Sequence, residues 1–84
     1  MSQVTVRFWA AARAAAGVTE ESYPAGTLAS ITTEAAVRHG DRLAAVLALS
    51  SFLVDGDPVG SRSHVGLQVP AGAVVEVLPP FAGG

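Results

Sequence analysis

The 84-residue sequence contains no cysteine. A disulfide framework, a cysteine-ligated zinc site and a thiol nucleophile are therefore excluded. Lysine is absent too, since all five basic residues are arginine. Schiff-base chemistry goes with it, as does any side-chain amine on this chain that would accept an isopeptide bond. Charged residues amount to 14% and the formal net charge is −2, so the basic stripe of a nucleic-acid-binding surface is missing. Aromatics are scarce at 6%. With sixteen alanines and twelve valines, the core has to be thin, built on Phe8, Phe52 and the branched aliphatics. No apolar run reaches the roughly 18 residues of a membrane span. Arg7 and Arg13 interrupt the N-terminal stretch, which holds no apolar segment of signal-peptide length. These absences predict a cytoplasmic protein with neither membrane nor nucleic-acid partners.

What is present is half hydrophobic by count, enough for one small folded domain. Val4, Val6 and Phe8 alternate with Thr5, Arg7 and Trp9, the period-2 pattern of a half-buried strand. Ala10–Ala16 is a short helical turn or loop closed by Gly17, and Val18–Tyr23 a candidate second strand ended by Pro24-Ala25-Gly26. Thr27 is placed to cap a helix carrying Leu28, Ile31 and Ala35 on one side, with Gly40 as its stop. Asp41 is placed to cap a shorter helix bearing Leu43, Val46 and Leu47. Ser51–Val54 reads as a strand, Asp55-Gly56-Asp57 as a tight turn and Pro58-Val59 as the return. Val65, Leu67 and Val69 alternate as a further strand, Pro70-Ala71-Gly72 turns, and Val74–Leu78 closes the set. The order predicts an α+β fold, one main helix across a small mixed sheet, with first and last strands side by side in parallel.

The side chains offer little ordinary catalysis. His39 and His64 read as a helix-end and a loop histidine, neither with a partner at metal-ligand spacing, so no metal site is predicted. Asp55-Gly56-Asp57 lacks the further oxygens of a calcium loop. Gly26, Gly40 and Gly72 show no phosphate-binding spacing. The last residues differ. A strand leads into Pro79-Pro80, then Phe81, Ala82, Gly83 and Gly84. Such a tail threads into a narrow channel, because glycine has no side chain to clash and the prolines reduce the entropy lost on extension. A carboxylate on Gly84 is a poor electrophile until activated as an acyl-adenylate; a sulfur nucleophile then converts it to a thiocarboxylate.

With its apolar first strand, Arg7-Phe8-Trp9-Ala10 through Arg13 to Gly17, and Leu78-Pro79-Pro80-Phe81-Ala82-Gly83-Gly84 at the other end, the sequence resembles the small subunits of molybdopterin synthase. The likeness covers essentially the whole chain, and its most specific part is the Pro-Pro-Phe-Ala-Gly-Gly segment. The resemblance implies a ubiquitin-like β-grasp domain over residues 1–80 and a flexible tail at 81–84. It implies no bound cofactor or metal. Gly84 would be adenylated by an E1-like adenylyltransferase using ATP, then receive sulfur from a donor as a C-terminal 1-thioglycine. The large synthase subunit would accept the loaded tail, in a heterotetramer of two small and two large subunits, and transfer sulfur to a pterin precursor. The carrier would supply no catalytic side chain of its own. Two departures bear on partner recognition: Ala14 stands where the family often has Glu, and Pro70–Ala73 replaces an acidic turn. Thiamine-pathway sulfur carriers share the fold and the glycine pair but generally lack the Pro-Pro step. A carrier for another sulfur-containing metabolite and a ubiquitin-like interaction module are the alternatives.

Strand alternation also supplies a docking surface. If Val4, Val6 and Phe8 face inward, Trp9 points outward, and on the last strand Glu76 and Leu78 do the same. The expected docking residues are Trp9, Arg13, Leu78, Pro79 and Pro80. Phe81, Ala82 and Gly83 thread with the tail, and Phe81 adds to an exposed apolar patch with Trp9 and Leu78.

Overall fold

The structure, a computed structural model, describes residues 2–80. Its first strand, β1 (Gln3–Phe8), turns Val4, Val6 and Phe8 into the core, where all three are buried. Trp9 follows in extended conformation, and Ala10 at φ 48 swings the chain directly into α1 (Ala10–Ala16). On α1 the buried residues are Ala12 and Ala16. β2 (Glu20–Pro24) returns antiparallel to β1, with Arg7 opposite Glu20 and Gln3 opposite Pro24. It starts later than the expected Val18, which stands exposed: Gly17 is occupied in closing α1, and the Thr19 carbonyl accepts from the Phe8 amide at 2.8 Å.

β3 (Gly26–Thr27) runs into α2 (Leu28–His39). Thr27 is the predicted cap, its hydroxyl accepting from the Ser30 amide at 3.0 Å. Leu28, Ile31 and Ala35 form the buried stripe. Gly40, at φ 90, ends α2 by donating its N–H to the Ala36 carbonyl and begins α3 (Asp41–Leu49) in the same residue. That positive φ suits glycine. The expected capping by Asp41 is corrected here: Gly40 occupies the cap position, and Asp41 is the first helical residue, with no side-chain capping bond. Its charge still complements the positive helix end.

β4 (Ser51–Val54) has the predicted bounds, and β5 (Asp57–Pro58) returns after Asp55 and Gly56, both at positive φ. Such angles at both central residues make the turn whose twist matches paired strands. Val59, expected in the return strand, lies just past it and is buried. The expected strand through Val65, Leu67 and Val69 shrinks to β6 (Gln68–Val69). Val65 is exposed, and residues 61–66 form turns and bends instead. Carbonyls of this loop and of Leu67 just after it serve α2: His64 accepts from the Ala29 amide and Leu67 from the Leu28 amide, at 3.0 and 2.9 Å. These amides belong to the helical first turn, which has no intrahelical acceptors.

β7 (Val74–Leu78) lies in the middle of the five-stranded sheet, whose order is β2-β1-β7-β4-β5. It pairs parallel with β1 and antiparallel with β4. β3 and β6 form a separate two-stranded ribbon. Phe8, Tyr23, Leu28, Leu43, Phe52, Val75 and Val77 belong to the single buried core between sheet and helices. Three helices among the described residues cover it, with α2 the longest as the expected main helix. The result is the predicted α+β arrangement.

Candidate functional site

The sheet face away from the core carries the residues between the buried ones. On β7 these are Val74, Glu76 and Leu78, each half-buried between the buried Val75 and Val77. On β1 they are Thr5 and Arg7, and on β4 Leu53 lies opposite Glu76. Trp9 stands at the end of β1 with 43% of its surface exposed. Its amide donates to the Val77 carbonyl at 3.3 Å, which sets it beside Leu78 at the far end of the β1–β7 pair. The expected juxtaposition of Trp9 and Leu78 on one face is therefore present.

The indole does more than cover surface. Its Nε1–H donates to Glu76 Oε1 at 3.1 Å. Arg7, opposite Glu76 in the parallel register, turns instead to Glu20 on the neighbouring strand, Nε to Oε1 3.5 Å. Alternation on β7 predicted that Glu76 points outward, but not that Trp9 would bond to it.

The other expected docking residues are distributed unevenly. Arg13 is exposed on α1, one helical turn beyond Trp9, whose carbonyl accepts from the Arg13 amide at 3.3 Å. Pro80 is exposed, whereas Pro79 is buried and continues the inward alternation of Val75 and Val77. Of the two prolines expected to dock, Pro80 thus stands at the surface and Pro79 against the domain. Phe81, Ala82, Gly83 and Gly84 lie outside the described residues.

Both histidines sit where the sequence placed them. His64 packs edge-on against Phe52, ring centroids 5.2 Å apart. His39, at the end of α2, approaches the Glu21 carboxylate at 2.8 Å. Among the described residues, no three histidine, aspartate or glutamate side chains gather to hold a metal. No helix among them is long and apolar enough to cross a membrane.

A second polar cluster, not foreseen, joins β2 to α2. Glu21 also accepts from the buried Tyr23 hydroxyl, and Arg38 lies over the Tyr23 ring at 4.0 Å while donating to the Ser22 carbonyl. Nothing local in the sequence links Arg38 to these partners, because they come from a strand sixteen residues away. This cluster ties edge to helix and lies on the core side of the sheet, away from the Trp9 face.

Comparison with solved structures places this architecture. The putative molybdopterin converting factor subunit 1 from Pyrococcus furiosus superposes with a TM-score of 0.78 at 27% identity, over 96% of this chain and 100% of that one. The fold is the ubiquitin-like β-grasp. Small archaeal modifier protein 1 from Haloferax volcanii shares it, with a TM-score of 0.79 at 17% identity over 98% of this chain and 99% of that one. So does a chain of the Helicobacter pylori complex of molybdopterin-converting factor subunits 1 and 2, with a TM-score of 0.65 at 20% identity over 98% and 99% of the respective chains. No family model and no curated protein matches the sequence. The β-grasp similarity spans essentially the full length of both partners in each pair, so the sheet face and the exit of β7 belong to the shared fold.

Proposed function

We propose that this β-grasp protein is a sulfur carrier of molybdenum cofactor biosynthesis, bearing its sulfur on the carboxyl group of Gly84. An E1-like enzyme joins that carboxylate to the AMP moiety of ATP, and pyrophosphate leaves. A sulfide-level donor then attacks the acyl carbon, AMP leaves, and a thiocarboxylate remains. The large subunit of molybdopterin synthase receives the loaded tail and passes the sulfur to a pterin precursor. Support for the large-subunit partner comes from the Helicobacter pylori likeness, whose relative is seen with subunit 2.

The observation that carries this reading is the placement of β7. It is hydrogen-bonded on both sides, by β1 and by β4, and it leads straight into Pro79 and Pro80 ahead of Phe81-Ala82-Gly83-Gly84. The reactive segment thus departs from the central strand of the sheet, next to the half-exposed Trp9 and Leu78. A fixed base and a narrow, side-chain-poor tip are what delivery into another protein's active site requires.

The test is loading. Incubated with the activating enzyme, ATP and a sulfur donor, the protein gains the mass difference between sulfur and oxygen, on its C-terminal peptide. With no cysteine in the chain, the gain cannot be a persulfide on this protein. Deletion of Gly84 abolishes loading and leaves the denaturation midpoint in place, since tail residues contribute little to stability. Sulfur found only on other peptides, or loading that survives the deletion, refutes the mechanism. Fold likeness to the archaeal modifier supports a second reading, attachment to other proteins. Lysine-linked conjugates in place of a thiocarboxylate would select it.

A further inference from the structure

Glu76 occupies the middle of the open sheet face. Its strand is the central one of five, and its register neighbours are Arg7 on β1 and Leu53 on β4. Around it stand Trp9, Leu53, Val74 and Leu78, an apolar ring broken on the β1 side by Thr5 and Arg7 and rimmed by the exposed Glu20, Ser22 and Ser51. Apolar centre and polar rim is the composition of a protein interface.

A carboxylate at the centre of such a face is out of place unless something answers it. The nearest candidate within the chain does not. Arg7 is drawn to Glu20, and among the described residues no ion pair includes Glu76. One oxygen, Oε1, accepts from the Trp9 indole at 3.1 Å. That bond orients the carboxylate without neutralising it. In the free protein water solvates the charge, because the residue is half-buried. A partner that covers the apolar ring removes this water, and desolvating an uncompensated charge opposes association strongly.

We infer that the partner seated on this face is an apolar surface that presents one cation, an arginine or lysine, to Glu76. The Trp9 indole presets the carboxylate for it, and an acidic or wholly apolar surface of the same shape is rejected. Glu76 is on this account a specificity-determining residue. The inference rests on the sulfur-carrier reading for the identity of that partner, the large subunit of molybdopterin synthase.

The experiment measures binding of the cognate large subunit to the full-length protein by calorimetry, at low and at raised salt. Glu76→Gln keeps the shape and an acceptor for the indole while removing the charge. It is expected to weaken binding about tenfold or more with no change in denaturation midpoint, and to lose part of the salt dependence of the wild type. Glu76→Arg is expected to weaken binding further, and reversal of the matching cation on the large subunit to restore it. Equal affinity and equal salt dependence for Glu76→Gln and wild type would overturn the inference while leaving the carrier reading intact. Wild-type protein that does not bind the large subunit at all would overturn the partner assignment, and this inference with it.

Discussion

The Glu21 carboxylate meets the His39 imidazole at 2.8 Å, Oε1 to Nε2, across the seam between the edge strand β2 and the last turn of α2. The same carboxylate receives the Tyr23 hydroxyl and lies 3.8 Å from the Arg38 guanidinium. Arg38 in turn is paired with Glu34 one helical turn earlier. One acidic residue thus gathers a strand, a helix end and a buried phenol.

Acid should loosen this seam. Burial by itself raises the Glu21 carboxyl, but hydrogen bonds from Tyr23 and His39 and the charges of His39 and Arg38 outweigh it, holding the group below its ordinary value of 4.5. A carboxyl depressed by folding stabilises the fold above its unfolded value and ceases to do so as pH falls through the folded one. The denaturation midpoint is therefore expected to decline below about pH 4.5, and Glu21→Gln to flatten that decline. Tyr23 behaves oppositely, since burial and the Glu21 carboxylate push its phenol up from 10.0. Its share of stability is present below that value and is lost at more alkaline pH, a limb that Tyr23→Phe removes. Denaturant titrations across pH check both, and parallel curves for wild type and variants would contradict them.

Trp9 separates binding from folding. The residue is 43% exposed, whereas Phe8 beside it is fully buried. Trp9→Ala is expected to cost about 2 kcal/mol of binding to the large subunit, roughly thirtyfold in affinity, with little change in denaturation midpoint. Phe8→Ala, by contrast, should cost ~3–5 kcal/mol of stability. Paired binding and unfolding measurements on the two variants decide the matter. A collapsed midpoint in Trp9→Ala would assign the ring to the core.

Thr27 holds the start of α2. Its hydroxyl accepts from the Ser30 amide and its carbonyl from the Ser30 hydroxyl, at 3.0 and 2.8 Å. Thr27→Ala should remove about 1 kcal/mol of stability, which in a domain of this size lowers the thermal midpoint by about 4–8 °C. Thr27→Ser should recover most of it, since the serine hydroxyl makes the same cap. Thermal unfolding followed by circular dichroism measures both.

Much of the fold was legible because the relevant forces are local. Strand alternation assigned Val4, Val6, Phe8, Val75 and Val77 inward, and all five are buried. The Thr27 cap and the Gly40 stop were readable because each depends on a few consecutive backbone groups. The same alternation misled at Val65, since the unpaired amides of Leu28 and Ala29 draw the Leu67 and His64 carbonyls into a loop. A strand there would leave the start of α2 without those partners.

The sequence by itself determined which way each strand residue points, where the main helix begins and ends, and that the chain carries a Pro-Pro-Phe-Ala-Gly-Gly segment. Tertiary structure alone decided who stands next to whom. Trp9 and Glu76 are 67 positions apart, and nothing local links them; they meet because β1 and β7 pair in parallel with Phe8 opposite Val77. Alternation has a period of two and sets only the face, whereas register sets the neighbour, and register is chosen by burying both strands' valines on the same side. Register sets Arg7 opposite both Glu20 and Glu76; in the folded chain Arg7 pairs with Glu20 and the Trp9 indole takes Glu76.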